Sequence, residues 1–507
     1  MVISEHYWYN IGKKGVQNWM GINFNSFFRE ELSVQDIQVA MEQGEITSKE
    51  LTMYYLHRIA KYDQDGRKIN SMLEINPEAI FIAEALDEER VTRGARGPLH
   101  GIPVVLKDNI ETKDFMHTSA GTIALENYLA EQDAFLVKKL REAGAVILGK
   151  TNMTELANAM SSTMWAGYSS RGGQTLNPYG DPNLFVGGSS SGSAVAVASN
   201  FSVLSIGTET DASILSPAIH NSVVGIKPTV GLISRRGIIP FTYSQDTAGP
   251  FARTVTDAAI LLGVLTGVDQ VDVATHKSER RIYQDYTNFL DATGLNGARI
   301  GVYNNALKEY YESAEYDETL FNNAIQVLRE QGAVIIEDID IPSFHRDWKW
   351  DVGRYELKHS LSNFLINLPS HMPVHSISEL IQFNERSKEK CLKYGQDKLE
   401  MREGLSNTLR NPEYLHAKLE DLYFAQDQGI DFTLKKYELD AIIFPSYIGS
   451  TVSAKAGYPS IAVPAGYMKN GRPFGITFAG TAFSEDVLIK LAFAFEQATK
   501  FRKAPKV

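Results

Sequence analysis

Short apolar runs alternate with longer segments of helical periodicity along most of this chain, and this alternation limits its fold more than any other feature. A strand buried on both faces appears as such a run, whereas an amphipathic helix spaces its apolar residues as in 133–143. Strands separated by helices predict an α/β fold with a sheet covered by helices on both faces. The candidate strands are 102–106, 145–148, 203–206, 300–302, 334–336 and 441–444.

The remaining segments predict one large domain. Residues 33–62 carry apolar positions at helical spacing in two short stretches, which predicts two helices. The stretch of about 345–435 is rich in charged and aromatic residues and has few strand signals, so we predict a mainly helical insertion over the sheet. The resulting organisation is an N-terminal extension over residues 1–32 and a single α/β domain over residues 33–500.

Composition excludes several classes of protein. The net charge is −11 and no basic cluster stands out, which argues against a nucleic-acid partner. Cys391 is the single cysteine, so neither an intramolecular disulfide nor a thiolate-rich metal site is expected. No apolar run has transmembrane length, and the start of the chain lacks the hydrophobic stretch of a signal peptide. We predict a cytoplasmic protein that uses no cofactor, metal or membrane.

Lys107 ends the apolar run IPVVL, so a strand would carry its amine to the end of the sheet, where open α/β folds place their sites. A lysine at a strand end is usually solvated and without a catalytic role. A catalytic lysine must be buried beside polar partners, so that its pKa falls from about 10.4 toward neutrality. Asp108 and Asn109 are neighbours that would orient the amine.

The Gly/Ser run at 187–193 has three interpretations. A flexible linker is disfavoured because the following AVAVAS is small and apolar, like a helix buried against a sheet. A phosphate-binding loop is excluded because no lysine follows the last glycine. The pattern G-x-S-x-G matches a nucleophile elbow centred on Ser190, but the preceding DPNLFV contains Pro182 and does not predict the strand that an elbow needs.

Ser213 follows a candidate strand and a polar turn in VLSIGTETDASILSPA. A turn here exposes the backbone N–H groups of Thr210, Asp211, Ala212 and Ser213. Such a row of donors is what an oxyanion hole requires, although an ordinary strand-to-loop junction has the same appearance. Lysine and serine residues can activate a serine nucleophile without histidine, so the three segments together predict amide hydrolysis.

The residues then resemble the amidase signature hydrolases over nearly the whole chain. The ordered motifs are GPLHGIPVVLKDN, GAVILGKTNMTELA, GGQTLNPY, GGSSSGSA, GTETDASI, GIKPTVGLISRRGIIP, DTAGPFARTVTDAA, AGYPSIAVPAGY and GRPFGITFAG. The resemblance implies a single domain built on a mixed β-sheet and a Ser-cisSer-Lys triad. In that triad Ser213 would be the nucleophile, Ser189 the bridging serine beside a cis peptide bond, and Lys107 the base.

The resemblance also implies a mechanism and a substrate class. An acyl-enzyme would form and water would be its acceptor, with a small or short peptide amide as substrate. The form Thr-Glu-Thr-Asp before the nucleophile is similar to the peptide amidase branch, which removes C-terminal amides. Leu215, in place of the usual arginine, counts against a glutamine-amidotransferase subunit. Ala212 replaces a usual glycine and either narrows the oxyanion pocket or reflects a compatible backbone angle.

Several alternatives and weaker assignments accompany this prediction. Other substrates are aryl acylamides and short aliphatic amides, and a rival of another class is a weak or silent protein of the same fold. Asp246 is expected to be a buried hydrogen-bond partner near the serine loops. Trp165, Tyr168 and Tyr447 are candidates for an acyl pocket, although aromatic residues are more often core. The sequence carries no signal for an oligomeric state.

Overall fold

The computed structural model describes residues 31–181, 183–303 and 317–507. Within these residues the centre of the molecule is a mixed sheet of eleven strands. The predicted extension over residues 1–32 lies outside the described residues except for its last two positions, and the domain boundaries at 33 and 500 remain a prediction. The strands of the sheet are β1 (Met72–Ile75), β2 (Pro103–Lys107), β3 (Val146–Thr151), β6 (Leu204–Glu209), β7 (Val224–Lys227), β8 (Thr247–Ala252), β9 (Arg299–Val302), β10 (Val334–Ile336), β11 (Ala441–Pro445), β12 (Ser460–Tyr467) and β13 (Pro473–Ala479), while β4 (Tyr168–Ser169) and β5 (Gly173–Gln174) form a separate pair.

The strand order across the sheet is β1-β3-β2-β6-β8-β7-β12-β13-β11-β9-β10. Neighbours are parallel in two groups, β3-β2-β6 and β11-β9-β10, and antiparallel elsewhere. All six strands predicted from apolar runs belong to the two parallel groups, which confirms those predictions. Parallel strands buried on both faces give continuous apolar runs, and even the partly exposed edge strand β10 keeps an apolar run.

Helices cover both faces of the sheet, as predicted. Successive residues of β12 point to opposite faces, and they pack into two different apolar clusters: Ile461 and Val463 join the cluster that contains helix Glu485–Thr499, whereas Ala462 joins the cluster of helix Leu215–His220. The α-helices are Val34–Glu42, Ser48–Arg58, Ala79–Arg93, Phe135–Glu142, Ser191–Ala198, Leu215–His220, Val255–Leu265, Glu318–Glu330, Asp351–Ile366, Ile377–Arg386, Lys388–Cys391, Asp397–Glu403, Pro412–Leu422, Asp431–Tyr437, Ser450–Ala456 and Glu485–Thr499.

The two helices predicted near the start of the domain are confirmed. Ser33 caps Val34–Glu42 and Thr47 caps Ser48–Arg58, and each cap is a reciprocal capping box with the acidic residue three positions later. Helices also account for most of the chain between Asp351 and Tyr437, where the helical insertion is predicted. None of the helices in the described ranges is both long and apolar enough to cross a membrane.

The arrangement of β2, β6 and helix Ser191–Ala198 brings the three segments of the candidate site to one edge of the sheet. β2 and β6 are parallel neighbours, so their carboxyl ends meet at one edge of the sheet. Every residue of helix Ser191–Ala198 is buried, and the helix consists only of small side chains: serine, glycine, alanine and valine. The backbone of the Gly/Ser run is therefore held close to the sheet edge where both strands end.

A substitution at Gly192 tests how closely this helix packs against the neighbouring backbone. A Cβ atom at this position would overlap the backbone oxygens of Ser71 and Asn152, neither of which moves freely. We expect Gly192→Ala to lower the free energy of unfolding by about 1–3 kcal/mol or more, as overpacking does in a close-packed core. Thermal and urea unfolding measure this change. Gly97→Ala is the matched control, since a Cβ there meets nothing within 4 Å, and equal stability of the two variants would contradict the proposed packing.

Candidate active site

Three separate elements bring Lys107, Ser189 and Ser213 together. Lys107 is the last residue of β2, and its side chain is completely buried. Ser189 lies in the Gly/Ser run just before helix Ser191–Ala198, and the peptide bond between Gly188 and Ser189 is cis. Ser213 lies in the turn between β6 and helix Leu215–His220.

The three side chains form one continuous hydrogen-bonded path. Nζ of Lys107 donates to Oγ of Ser189 at 2.7 Å, and Oγ of Ser189 donates to Oγ of Ser213 at 3.0 Å. Exposure increases along this path, because Lys107 is 0% exposed, Ser189 1% and Ser213 8%. Ser213 is thus the member of the path that a ligand in the adjoining pocket reaches most easily.

The buried environment changes the protonation of Lys107. Desolvation by burial lowers the pKa of Lys107 to about 7, and the charges of Asp246 and Glu209 partly oppose this shift. Neither carboxylate forms a hydrogen bond with the amine in the part of the chain that the structure describes. Asp246 is half-buried and accepts from Oγ1 of Thr210 at 2.6 Å and from two backbone N–H groups, so it is a hydrogen-bond partner near the serine loops as predicted but is less buried than expected.

Hydroxyl groups and the carbonyl oxygen of Thr208 at 3.2 Å, rather than carboxylates, complete the surroundings of the amine. Lys107 donates to Oγ of Ser190 at 2.9 Å and to Oγ1 of Thr208 at 2.9 Å. Asn109 takes part indirectly, because its Nδ2 donates to the same Thr208 oxygen at 3.0 Å. The suggestion that Asp108 orients the amine is wrong: its carboxylate accepts instead from Ser119 and from the N–H of Gly121.

Ser190 is poorly placed to be the nucleophile of an elbow. It is 0% exposed and is not among the residues that line the pocket containing Ser189 and Ser213. Its hydroxyl donates to the carbonyl oxygen of Thr208 at 2.9 Å and accepts from the N–H of the same residue. Ser190 therefore holds the lysine and β6 together.

The turn before Ser213 carries unused backbone donors. Oε2 of Glu209 accepts from the N–H groups of Ile214 and Leu215, which fixes the end of the turn. The N–H groups of Asp211, Ala212 and Ser213 have no hydrogen-bond acceptor within the described residues. These are three of the four positions expected to form the oxyanion hole, and the backbone N–H of the fourth likewise has no acceptor there. The side chain of the fourth, Thr210, is held by Asp246.

A pocket of about 810 Å³ opens at the two serines. Its inner wall is the turn at 210–213, and Trp165 and Tyr447, two of the three predicted aromatic residues, belong to its lining. Tyr168 does not line it and packs against the ring of Tyr394 instead, with centroids 5.0 Å apart. The outer wall comes from the helical segment far along the sequence and contains Trp350, Arg354, Asp397, Lys398, Met401 and Arg402.

No metal-binding cluster of three or more histidine, cysteine or acidic residues occurs in residues 31–181, 183–303 and 317–507.

Comparison with known proteins identifies the class to which this protein belongs, the amide hydrolases. The family model described as Amidase matches residues 50–489. A probable amidase of Arabidopsis thaliana is 40% identical over 496 residues, which cover 95% of this chain and 93% of that protein. The chain therefore belongs to the amidase family and is an amidohydrolase, and the resemblance to the amidase signature hydrolases is confirmed.

Solved structures agree with this assignment. The native peptide amidase from Stenotrophomonas maltophilia is 42% identical with a TM-score of 0.87, and the match covers 94% of this chain and 98% of that one. A peptide amidase in complex with the competitive inhibitor chymostatin is 41% identical with a TM-score of 0.87, covering 94% and 99% of the two chains.

Ala212 adopts a backbone φ of 61°, in the left-handed region that favours glycine. Of the two explanations for this alanine, a compatible backbone angle is therefore wrong. We expect Ala212→Gly to raise the free energy of unfolding by up to about 1 kcal/mol, because it removes the steric cost of Cβ in this conformation. Thermal unfolding measures the change. Ala417→Gly, within helix Pro412–Leu422, should shift stability in the opposite direction, and a decrease in both variants would contradict strain at Ala212.

Proposed function

We propose that this protein hydrolyses the C-terminal amides of short peptides to the free acid and ammonia. Ser213 is the nucleophile, Ser189 the bridging serine and Lys107 the base, and the backbone N–H groups of the turn at 210–213 bind the oxyanion. The observation that carries the proposal is the path of 2.7 and 3.0 Å hydrogen bonds, which starts at a buried amine and ends at a serine on the pocket.

The hydrogen bonds around Lys107 favour its acting as a base. A neutral amine has two N–H donors and one lone pair. Ser190 can only accept from the amine, since its own proton is directed to the carbonyl oxygen of Thr208. In the neutral amine the two N–H groups donate to Ser190 and to Thr208, whose Oγ1 and carbonyl oxygen lie 2.9 and 3.2 Å from Nζ. The lone pair then faces Oγ of Ser189, and the 2.7 Å contact reverses so that the Ser189 hydroxyl donates to the amine. The amine is then oriented to receive a proton from the two serines.

Acylation follows from this geometry. Oγ of Ser213 attacks the amide carbonyl carbon as its proton passes to Ser189, and the proton of Ser189 passes to Lys107. The negative charge that develops on the carbonyl oxygen is stabilised by the free backbone donors of Asp211, Ala212 and Ser213. The proton then returns through Ser189 to the departing nitrogen as the C–N bond breaks. Water hydrolyses the resulting ester of Ser213 and releases the acid.

The pocket supports a short peptide as the acyl part of the substrate. Its volume of about 810 Å³ lies within the range of ligand-binding clefts. Trp165, Phe185, Trp350 and Tyr447 give it aromatic walls suited to apolar side chains. The similar peptide amidases, one of them bound to chymostatin, favour the same substrate class. A cytoplasmic location is part of the proposal and agrees with a peptide substrate free in solution.

Variants of the triad test the proposal directly. We expect Lys107→Ala, Ser189→Ala and Ser213→Ala each to lower kcat by at least about 10³-fold. The three residues act as one unit, so removing any one of them abolishes the contribution of all three. The measurement is ammonia release from C-terminally amidated dipeptides and simple carboxamides, with aniline release from aryl anilides. The highest kcat/KM is expected for the peptide amides.

Two further results make this test decisive. Ser406→Ala, a partly exposed serine outside the pocket, should retain full activity. A fluorophosphonate should label Ser213, and labelling should disappear in Ser213→Ala. Activity that survives Ser213→Ala would contradict the triad. Higher activity on anilides or aliphatic amides than on peptide amides would contradict peptide amides as the substrate class.

The pKa of Lys107 predicts the pH dependence. Because its pKa is lowered to about 7 and the neutral amine is the active form, kcat/KM should rise with pH through this value and then level off. The substrate should be an uncharged peptide amide, so that the pH profile reports ionisation of the enzyme and not of the substrate. A profile that stays flat from about pH 6 to about pH 8, or falls over that range, would contradict a neutral lysine base.

A further inference from the structure

A second cavity lies beside the substrate pocket. Its volume is about 420 Å³, and it contains neither Ser189 nor Ser213. Ala157, Thr210 and Phe241 line both spaces, so the two adjoin at these residues. Because Thr210 belongs to the turn that precedes Ser213, the junction lies next to the reacting centre.

The inner end of the second cavity is polar and is bonded to the lysine. Thr208 and Asn109 both line it. Oγ1 of Thr208 accepts from Nζ of Lys107 at 2.9 Å, and Nδ2 of Asn109 donates to that oxygen at 3.0 Å. The amide oxygen of Asn109 is buried and has no hydrogen-bond partner within the described residues. A free acceptor and a hydroxyl group at this depth suit a small polar molecule such as water.

The outer end is open and rigidly framed. Val271 and Val273 line the cavity and are 71% and 73% exposed, so its mouth is at the surface. Between them Asp272 holds Arg235 in a bidentate ion pair with N···O distances of 2.9 and 2.6 Å. The cavity has room for several water molecules, each of which occupies about 30 Å³ in the liquid.

We propose that this second cavity delivers the water that hydrolyses the acyl-enzyme. The inference rests on the proposed function, because it requires an ester on Ser213. While the peptidyl group is attached to Ser213 it occupies the substrate pocket and blocks approach from that side. The second cavity reaches solvent at Val271 and Val273 rather than through the substrate pocket, and its inner end lies beside the base that must activate the water.

The chemical step balances within the proposed triad. The water oxygen forms a bond with the carbonyl carbon of the ester, and a water proton passes through Ser189 to Lys107. The bond between that carbon and Oγ of Ser213 then breaks. The proton returns from Lys107 through Ser189 to Ser213, which leaves a free acid and the starting enzyme.

A reversible plug at the mouth tests the route. Cys391 is the single cysteine of the chain and is buried, so Val273→Cys offers a selective site for benzyl methanethiosulfonate. The assay follows a nitrophenyl ester of a short peptide, whose burst reports acylation and whose steady rate reports deacylation. We expect the benzyl adduct to lower the steady rate several-fold with the burst amplitude unchanged, and a thiol reductant to restore the rate. A general structural defect would reduce the burst as well.

Val91→Cys is the matched control, since Val91 is 87% exposed on helix Ala79–Arg93 and lies outside both cavities. Its benzyl adduct should leave both phases unchanged. A labelled Val273→Cys enzyme with an unaltered steady rate would overturn the water route, as would equal slowing in the two labelled proteins. An unlabelled enzyme that cleaves neither esters nor amides would instead contradict the proposed function, and the water route with it.

Discussion

The burial of Lys107 is the constraint on which the rest of the site depends. A charged ammonium is costly to bury, so the interior favours the neutral amine unless a carboxylate contacts it. The chain meets this condition by surrounding the amine with the hydroxyl groups of Ser189, Ser190 and Thr208. The nearest acids are engaged elsewhere, Glu209 with two backbone N–H groups and Asp246 with Thr210 and its own loop. Burial lowers the pKa of the amine, and its hydrogen bonds also fix the two serines and the turn of the nucleophile.

The fold was predictable where burial leaves a simple pattern and not where other residues interrupt it. The parallel strands gave continuous apolar runs, and their positions agree with the structure. Five strands of the sheet were not predicted: β1, β7, β8, β12 and β13. In these five strands polar or small residues break the apolar run, as in TAGPFA of β8 and PFGITFA of β13. All five pair only with antiparallel neighbours, and among these pairs only β12 and β13 are joined by a short turn.

The site residues that lie in sequence motifs were predictable, whereas those brought in by strand pairing or by the tertiary fold were not. Lys107, Ser189 and Ser213 were singled out from ordered motifs, and the structure brings them into one hydrogen-bonded path. Ser190 and Thr208, which accept from the lysine, were missed in that role because parallel pairing of β2 with β6 creates those contacts. The outer wall was also missed. Trp350, Arg354 and Met401 are more than a hundred residues from the nucleophile, and only the tertiary fold places them over the pocket.

The two walls of the pocket differ in how freely they can change during evolution. The inner wall is hydrogen-bonded through Ser213 to the N–H of Ser190, which begins a fully buried helix in which a methyl group added at Gly192 would overlap backbone atoms. The outer wall consists of side chains from a helical segment that contributes no strand to the sheet. New specificities in such a scaffold should therefore accumulate at positions such as 350, 354 and 401, while the chemistry is inherited almost unaltered. A directed-evolution library confined to those positions would sample acyl preference without risking the catalytic core.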